Sequence, residues 1–379
     1  MKKEIPFNLP YISGNEISNF KSVLKNKKFS GRGNFTKKCE DFLTKNYDRY
    51  SLLTTSCTHA LETTAFLLNI NKNDEIIIPS YTFVSTANAF AIRGAKIIFA
   101  DSYNNNPCID PESILKKITK RTVAICIVHY AGISCDMKKI LHICKSYNLK
   151  LIEDCAHSFD AFSSKQRLGT FGDFATFSFH DTKNITSGEG GALLIKKKID
   201  FEKARITIEK GTNRSEFIDG KINKYSWVSF GSSYELSEIN ASFLNAQFKI
   251  SKKILIKRIA IFNYYKKELS NFIYNECFST PYIPSYAKIN GHIFFILLKS
   301  HNDLINLKNF AKHKGVILQD HYECLHKSPF IRKLRKLETL PNSEKYASRL
   351  LRLPIYPSLT VTNMKKVVRV IKEFFETIK

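Results

Sequence analysis

No two of the nine cysteines are spaced C-x-x-C, and their odd number leaves at least one unpaired. A disulfide framework is therefore not what holds this chain together. Several of them, Cys126 and Cys155 included, sit in apolar, strand-like runs, which fits reduced thiols in a cytosolic protein. No block of five or more basic residues occurs, although Lys and Arg number 59 against 34 Asp and Glu. The formal charge of +25 is spread along the chain, and no zinc-finger or RNA-binding signature accompanies it. Nucleic acid is not expected as a partner; a small dianion or a diphosphate suits such a surface as well. No window is apolar enough to span a bilayer: the best, from Ile76 to Ile92, is broken by Pro79, Ser80, Thr82, Ser85 and Asn88. The first sixteen residues carry lysine but no apolar core, so no secretory leader is read there. A soluble, cytoplasmic protein without a membrane partner is expected.

What is present is an alternation. Short apolar runs at 51–54, 75–79, 96–100, 123–129, 150–153, 175–179 and 192–195 are separated by stretches with helical spacing, such as HALETTAFLLNI and PESILKKITK. Strands separated by helices imply βαβ units, hence an α/β protein with a mostly parallel sheet covered on both faces. The 379 residues exceed what one core usually supports. After about residue 250 the pattern changes to one long helix over 249–273, an apolar HIFFILLK strand and a last helix near 361–377. The expectation is a large domain over 1–250 and a smaller α+β C-terminal domain over 251–379.

In this lysine-rich chain one stretch is nearly free of cations. Between Leu168 and Ile195 the only Lys or Arg is Lys183, in FATFSFHDTKNITSGEGGAL. Three neighbours in the pattern bear on it. KLIEDCAH puts Asp154 at the end of an apolar strand, where open α/β sheets present functional groups. TTSCTHALETTAF puts Ser56, Cys57 and Thr58 at the head of a helix, where free N–H groups and the helix dipole favour phosphate. PSYTFVSTANAF offers Tyr81 and Phe83 as flat surfaces after another strand, and Ser178 offers a hydroxyl close to Lys183. Each has an ordinary alternative: a solvated lysine, an N-cap aspartate, a capping serine, a core phenylalanine. Together, an amine, a carboxylate, an aromatic plate and a phosphate cradle are what pyridoxal phosphate requires. Gly188, Gly190 and Gly191 read as a turn that needs positive φ.

These segments resemble the DegT/DnrJ/StrS nucleotide-sugar aminotransferases, which are fold-type-I pyridoxal phosphate enzymes. PSYTFVSTANAF, RGAKIIFAD, VHYAG, LIEDCAHSF, LGTFGD, FSFHDTKNITSGEGG, KGTNRS, GSSY and RLLRLP follow family order from about residue 5 onward. The resemblance implies a large domain with a mostly parallel mixed sheet. It matches Lys183 to the lysine that bonds the cofactor aldehyde and Asp154 to the partner of the pyridine nitrogen. It matches Phe83 to the ring-stacking aromatic, Cys57, Thr58 and Ser178 to phosphate contacts, and His157 to a group beside the ring oxygen. Lys210 and Arg214 in KGTNRS are expected to hold anionic substrate groups, with His321, Tyr322 and His326 of HYECLH also at the substrate. The implied reaction moves an amino group from L-glutamate to C4 of dTDP-4-dehydro-6-deoxy-D-glucose, for surface polysaccharide, in a homodimer with shared active sites. Alternatives are C3 chemistry, a GDP- or UDP-linked sugar, or a silent regulatory protein on the same scaffold. Two positions depart from the family pattern. Glu235 replaces an Asn that reaches the other subunit's phosphate, where a carboxylate is repelled, and Cys324 replaces a Pro, so a different local turn is expected.

Overall fold

The computed structural model describes residues 4–270 and 277–377. Its strands, in chain order, are β1 (Tyr50–Thr54), β2 (Glu75–Pro79), β3 (Lys96–Ala100), β4 (Thr122–Val128), β5 (Lys150–Asp154), β6 (Phe162–Ser163), β7 (Gln166–Arg167), β8 (Phe174–Ser178), β9 (Gly191–Ile195), β10 (Phe278–Ser279), β11 (Ala287–Lys288), β12 (Phe294–Leu298) and β13 (Leu350–Leu353). Seven of them form one sheet in the order β1-β9-β8-β5-β4-β2-β3. Neighbours from β8 to β3 are parallel, and β9 alone runs against the rest, paired antiparallel to both β1 and β8. The sheet is therefore mixed but mostly parallel, as its apolar runs predict. Residues such as Ile76, Ile77 and Ile78 are buried on both sides of the strand, because helices cover both faces.

The parallel arrangement sends the carboxyl ends of β1, β2, β4, β5 and β8 to the same edge of the sheet. The segments that follow those ends carry Ser56–Thr58, Phe83, His129, His157 and Lys183. A separate three-stranded sheet, β10-β12-β13, packs with the helices Ser251–Ser270 and Val361–Thr377 around Phe262, Phe294, Leu351 and Ile371. Ile5 joins that core, and its N–H and C=O pair with Gly315 and Ile317. The long helix read over 249–273 is the helix Ser251–Ser270, separated at Ile250 from the preceding helix Glu238–Lys249; residues 271–273 lie outside the described ones. No Gly or Pro marks that break. All nine cysteines are free. Among the described residues no helix is long and apolar enough to cross a membrane.

One polar contact ties the amino-terminal helices to the sheet domain. The helix Asn34–Tyr47 starts after Gly33, which has no side chain to cap it. Glu238, buried at the start of another helix, supplies the cap instead. It accepts from the Gly33 (3.1 Å), Phe35 (2.9 Å) and Thr36 (2.8 Å) N–H groups and from the Thr36 hydroxyl. A negative charge at a helix N-terminus is favoured by the dipole as well. Glu238→Ala should destabilise the fold by about 2–4 kcal/mol, since buried donors lose a charged acceptor. Thermal unfolding would read this as a midpoint several degrees lower, and an unchanged midpoint would contradict the capping role.

Candidate active site

The segments after the strand ends enclose a cavity of about 770 Å³. Asp154, the last residue of β5, is buried and lines it. Burial pushes its carboxyl up from the usual aspartate range. Four groups pull the other way: the Ala156 N–H on Oδ1 (3.1 Å), the Thr86 hydroxyl on Oδ2 (2.8 Å), and the nearby Lys183 and His129. Thr86 is itself buried and linked to Thr82 at 3.0 Å. The Thr86 hydroxyl, itself bonded to Thr82 in the bend before the helix Ser85–Ala91, therefore helps set the orientation of the carboxylate.

Lys183 lies in the loop between β8 and β9 and lines the same cavity. Burial pushes its amine down to about 8, while Cys57 and Asp154 pull it up. An amine at that value is neutral in a useful fraction near physiological pH, which a nucleophile or proton carrier needs.

Ser56, Cys57 and Thr58 also line the cavity. The Ser56 hydroxyl is used as the N-cap, accepting from the His59 N–H at 3.1 Å. The N–H groups of Cys57 and Thr58, at the head of the helix Cys57–Leu67, donate to no other described group. Burial pushes the Cys57 thiol up, so it stays protonated, and it contacts the Thr176 hydroxyl at 3.5 Å. The glycines act differently from the expected turn. Only Gly188 has positive φ; Gly191 is needed because a side chain there would fall on the backbone of Ser56 and Cys57. Close passage of β9 behind this loop holds the free amides in place.

Phe83, 55% exposed, stands on the wall with Tyr322, the two ring centres 6.1 Å apart. Tyr81 does not share that role: it is buried against Tyr130, Tyr322 and Tyr346. His157 is buried and lines the cavity. The Ala131 N–H donates to its Nδ1 (3.3 Å), so the ring proton sits on Nε2 and is donated to the Tyr322 oxygen (3.0 Å). His321 stacks on both at 5.7 and 3.5 Å and bonds Tyr130 at 2.7 Å. Burial holds His157, His292 and His321 well below the usual imidazole range, so the wall presents neutral rings.

Cys57, Thr58, Phe83, Asp154, His157, Ser178, Lys183, His321 and Tyr322 thus converge on one cavity. Lys210, Arg214 and His326 do not line it. Lys210 and Arg214 pair instead with Glu235, at 3.4 and 3.7 Å, and Arg32 stands 3.8 Å from the same carboxylate. That cluster neutralises the Glu235 charge. His326 is buried beneath the wall, 2.6 Å from the Ser80 hydroxyl and 3.2 Å from Glu344, and the Leu325 N–H donates to the Ser80 carbonyl at 3.0 Å. Cys324 has φ −70, a value proline adopts, so the turn keeps the backbone shape expected of the residue it replaces. Sequence reasoning missed Thr86, His292 and Arg352, which lie within quoted segments but were given no role, and Arg258, which only the tertiary fold brings to this place.

These residues fit pyridoxal phosphate. Open amides and the Thr58 hydroxyl suit its phosphate, the Asp154 oxygens suit a protonated ring nitrogen, Phe83 suits its ring face, and the Lys183 amine suits its aldehyde.

Comparison with known proteins agrees with this chemistry. Residues 10–372 match the DegT/DnrJ/EryC1/StrS aminotransferase family. GDP-perosamine synthase from Escherichia coli O157:H7 is 29% identical over 375 residues, covering 98% of this chain and 99% of that protein. The enzyme of that name from Vibrio cholerae is 28% identical over 378 residues, covering 99% and 100%. An uncharacterized protein from Methanocaldococcus jannaschii is 34% identical over 375 residues, 96% of each. The aminotransferase TlmJ from Streptoalloteichus hindustanus has the same fold, with a TM-score of 0.92 at 22% identity over 99% of this chain and 100% of that one. A match running nearly end to end, on a chain whose lone loop lysine shares a cavity with a strand-end carboxylate, places this protein in the DegT/DnrJ/EryC1/StrS aminotransferase family.

Proposed function

We propose that this protein moves the amino group of L-glutamate onto C4 of a nucleotide-linked 4-keto-6-deoxy sugar destined for a surface polysaccharide. The observation that carries the reading is the shared cavity of Lys183, Asp154 and the open amides of Cys57 and Thr58. As a family member the chain is a sugar aminotransferase, and its cofactor is pyridoxal phosphate. Two carriers have support. KGTNRS, GSSY and the S-C-T loop favour a dTDP-linked substrate, while the two GDP-perosamine synthases among the relatives favour GDP.

When bound, the cofactor supplies an electron sink that stores the amino group between two half-reactions. Asp154, held by Thr86 and Ala156, keeps a proton at the ring nitrogen. The Cys57 and Thr58 amides, with Thr58 and Ser178 hydroxyls, anchor the phosphate. Lys183 takes the proton from Cα of glutamate and later gives one to C4 of the sugar, a task suited to an amine near neutrality. His157, neutral and fixed in one tautomer, would meet the bound cofactor ring as a neutral group rather than an added cation. The net exchange converts glutamate to 2-oxoglutarate and the ketone to an amine.

A second copy of the chain completes the site in this reading, with 1–250 as the cofactor domain and 251–379 as the smaller one. Support comes from an exposed apolar segment near residues 217–230, where Trp227 is 75% and Phe230 72% exposed. Monomers rarely leave such a patch in water. Lys210 and Arg214 stand near it and would serve the partner's cavity rather than their own.

Incubation with glutamate and a panel of GDP-, dTDP- and UDP-linked keto sugars, with NMR of the product, tests the reaction. A 4-amino sugar on one carrier is expected; no amination of any would refute it. For Lys183, the cofactor-loaded protein should be yellow and bleached by borohydride, and Lys183→Ala should lose the covalent band. Uptake of the aldehyde by cofactor-free protein should speed up as pH rises through about 8, because only the neutral amine attacks. A rise only near 10, as for a solvated lysine, would show the amine unperturbed. Sedimentation should return twice the 43.6 kDa chain mass, and Trp227→Glu should weaken the dimer.

A further inference from the structure

The cavity wall carries a deeply buried cation that no described acid neutralises. Arg258, on the helix Ser251–Ser270, is 2% exposed and lines the cavity. Its Nε donates to the Gly291 carbonyl at 3.1 Å and its Nη2 to the His292 carbonyl at 2.8 Å. Its Nη1 bonds to no described residue, and no described Asp or Glu forms an ion pair with it. Burial alone pushes the guanidinium down to about 9, with no acid pulling it back, and it remains charged at neutral pH. A buried, uncompensated charge is costly, so its retention calls for an anion.

The placement is built. Gly291 has φ +65, and a side chain there would strike the Arg258 and Ile259 backbone, so only glycine brings its carbonyl onto Nε. His292 in turn bonds the Asn184 side-chain oxygen through Nδ1 at 2.8 Å, and Asn184 follows Lys183 in the chain. The guanidinium is thereby linked to the segment that carries the amine. The other acids on the wall do not serve it: Asp154 is held by Thr86 and Ala156, while Glu4, Asp181 and Glu189 are exposed.

We infer that Arg258 receives a carboxylate of the amino donor and so sets its Cα beside Lys183. This rests on the aminotransferase reading above. The amino donor carries a carboxylate one bond from the reacting carbon, whereas the diphosphate of a nucleotide sugar sits on C1, across the ring from C4. Glutamate has two carboxylates, and the chemistry at Arg258 is the same for either.

The test follows the half-reaction with L-glutamate by absorbance in the loaded enzyme, wild type against Arg258→Gln. The variant should need about 10²-fold more glutamate for half-maximal rate, the effect of removing one partner of a buried charge contact. The half-reaction run backwards from the amino sugar should change by less than about threefold. L-Alanine, which has only the α-carboxylate, separates the two sources. An equal loss with alanine assigns the α-carboxylate, and no loss assigns the side-chain one; both support the contact. Maleate, a dicarboxylate without an amine, should raise the unfolding midpoint of the wild type and not of Arg258→Gln. Should Arg258→Gln not fold, Arg258→Lys, which keeps the charge but loses the planar fork, should bind maleate at least about fivefold more weakly. An unchanged glutamate dependence, an equal loss in both half-reactions, or undiminished maleate binding overturns the inference alone. A wild type that glutamate fails to convert overturns it together with the donor assignment.

Discussion

A carboxylate at the buried end of a strand is held against the preference of its surroundings. Burial drives Asp154 toward its neutral form, and the charge survives through one amide, one buried hydroxyl and an amine nearby. Burial drives Lys183 the opposite way, also toward neutrality. Each group opposes the loss of charge on the other, so the pair is poised rather than fixed. The parallel sheet makes this possible, because it delivers β5 and β8 to one edge side by side. Much of the remaining architecture serves to keep those ends aligned and the water around them limited.

Electrostatic compensation recurs in the rest of the molecule. Glu238 satisfies a helix start that Gly33 cannot cap. Glu235, a departure from the family pattern, stands among Arg32, Lys210 and Arg214. Glu153, beside Asp154 in sequence, points elsewhere and accepts from the amides of Gly169, Phe171 and Gly172. Neighbouring carboxylates on β5 therefore have separate duties, one organising a loop and one facing the cavity. Alternation along a strand separates them.

What could be read from residue order was whatever is local or periodic. The strands Glu75–Pro79 and Lys96–Ala100 match their apolar runs end for end, the first because it is buried throughout and the second because only its Lys96 end is exposed. Lys183 was visible through the scarcity of cations around it, and Asp154 through its place at a strand end. Positions governed by contacts distant in sequence were not visible. Gly191 looked like a turn residue and proves to be a clearance residue for a loop 135 positions earlier at Ser56. Arg258 looked like one more helix cation. Lys210 and Arg214 read as ligand cations, and residue order gave no sign that folding sets Glu235 beside both and leaves them off their own cavity. Periodicity cannot report such meetings, because it records spacing along the chain and not between segments.

The tie between Ser80 and the Leu325–His326 turn bears on how the cavity selects its contents. Phe83 follows Ser80 by three residues, and Tyr322 precedes Leu325 by three, so the plate and the facing ring hang from a common rivet. The two rings, their centres 6.1 Å apart, form one continuous patch of the wall, and neither can shift without the turn that ties them. The face offered to a flat molecule is thus shaped by a turn that lies behind both rings.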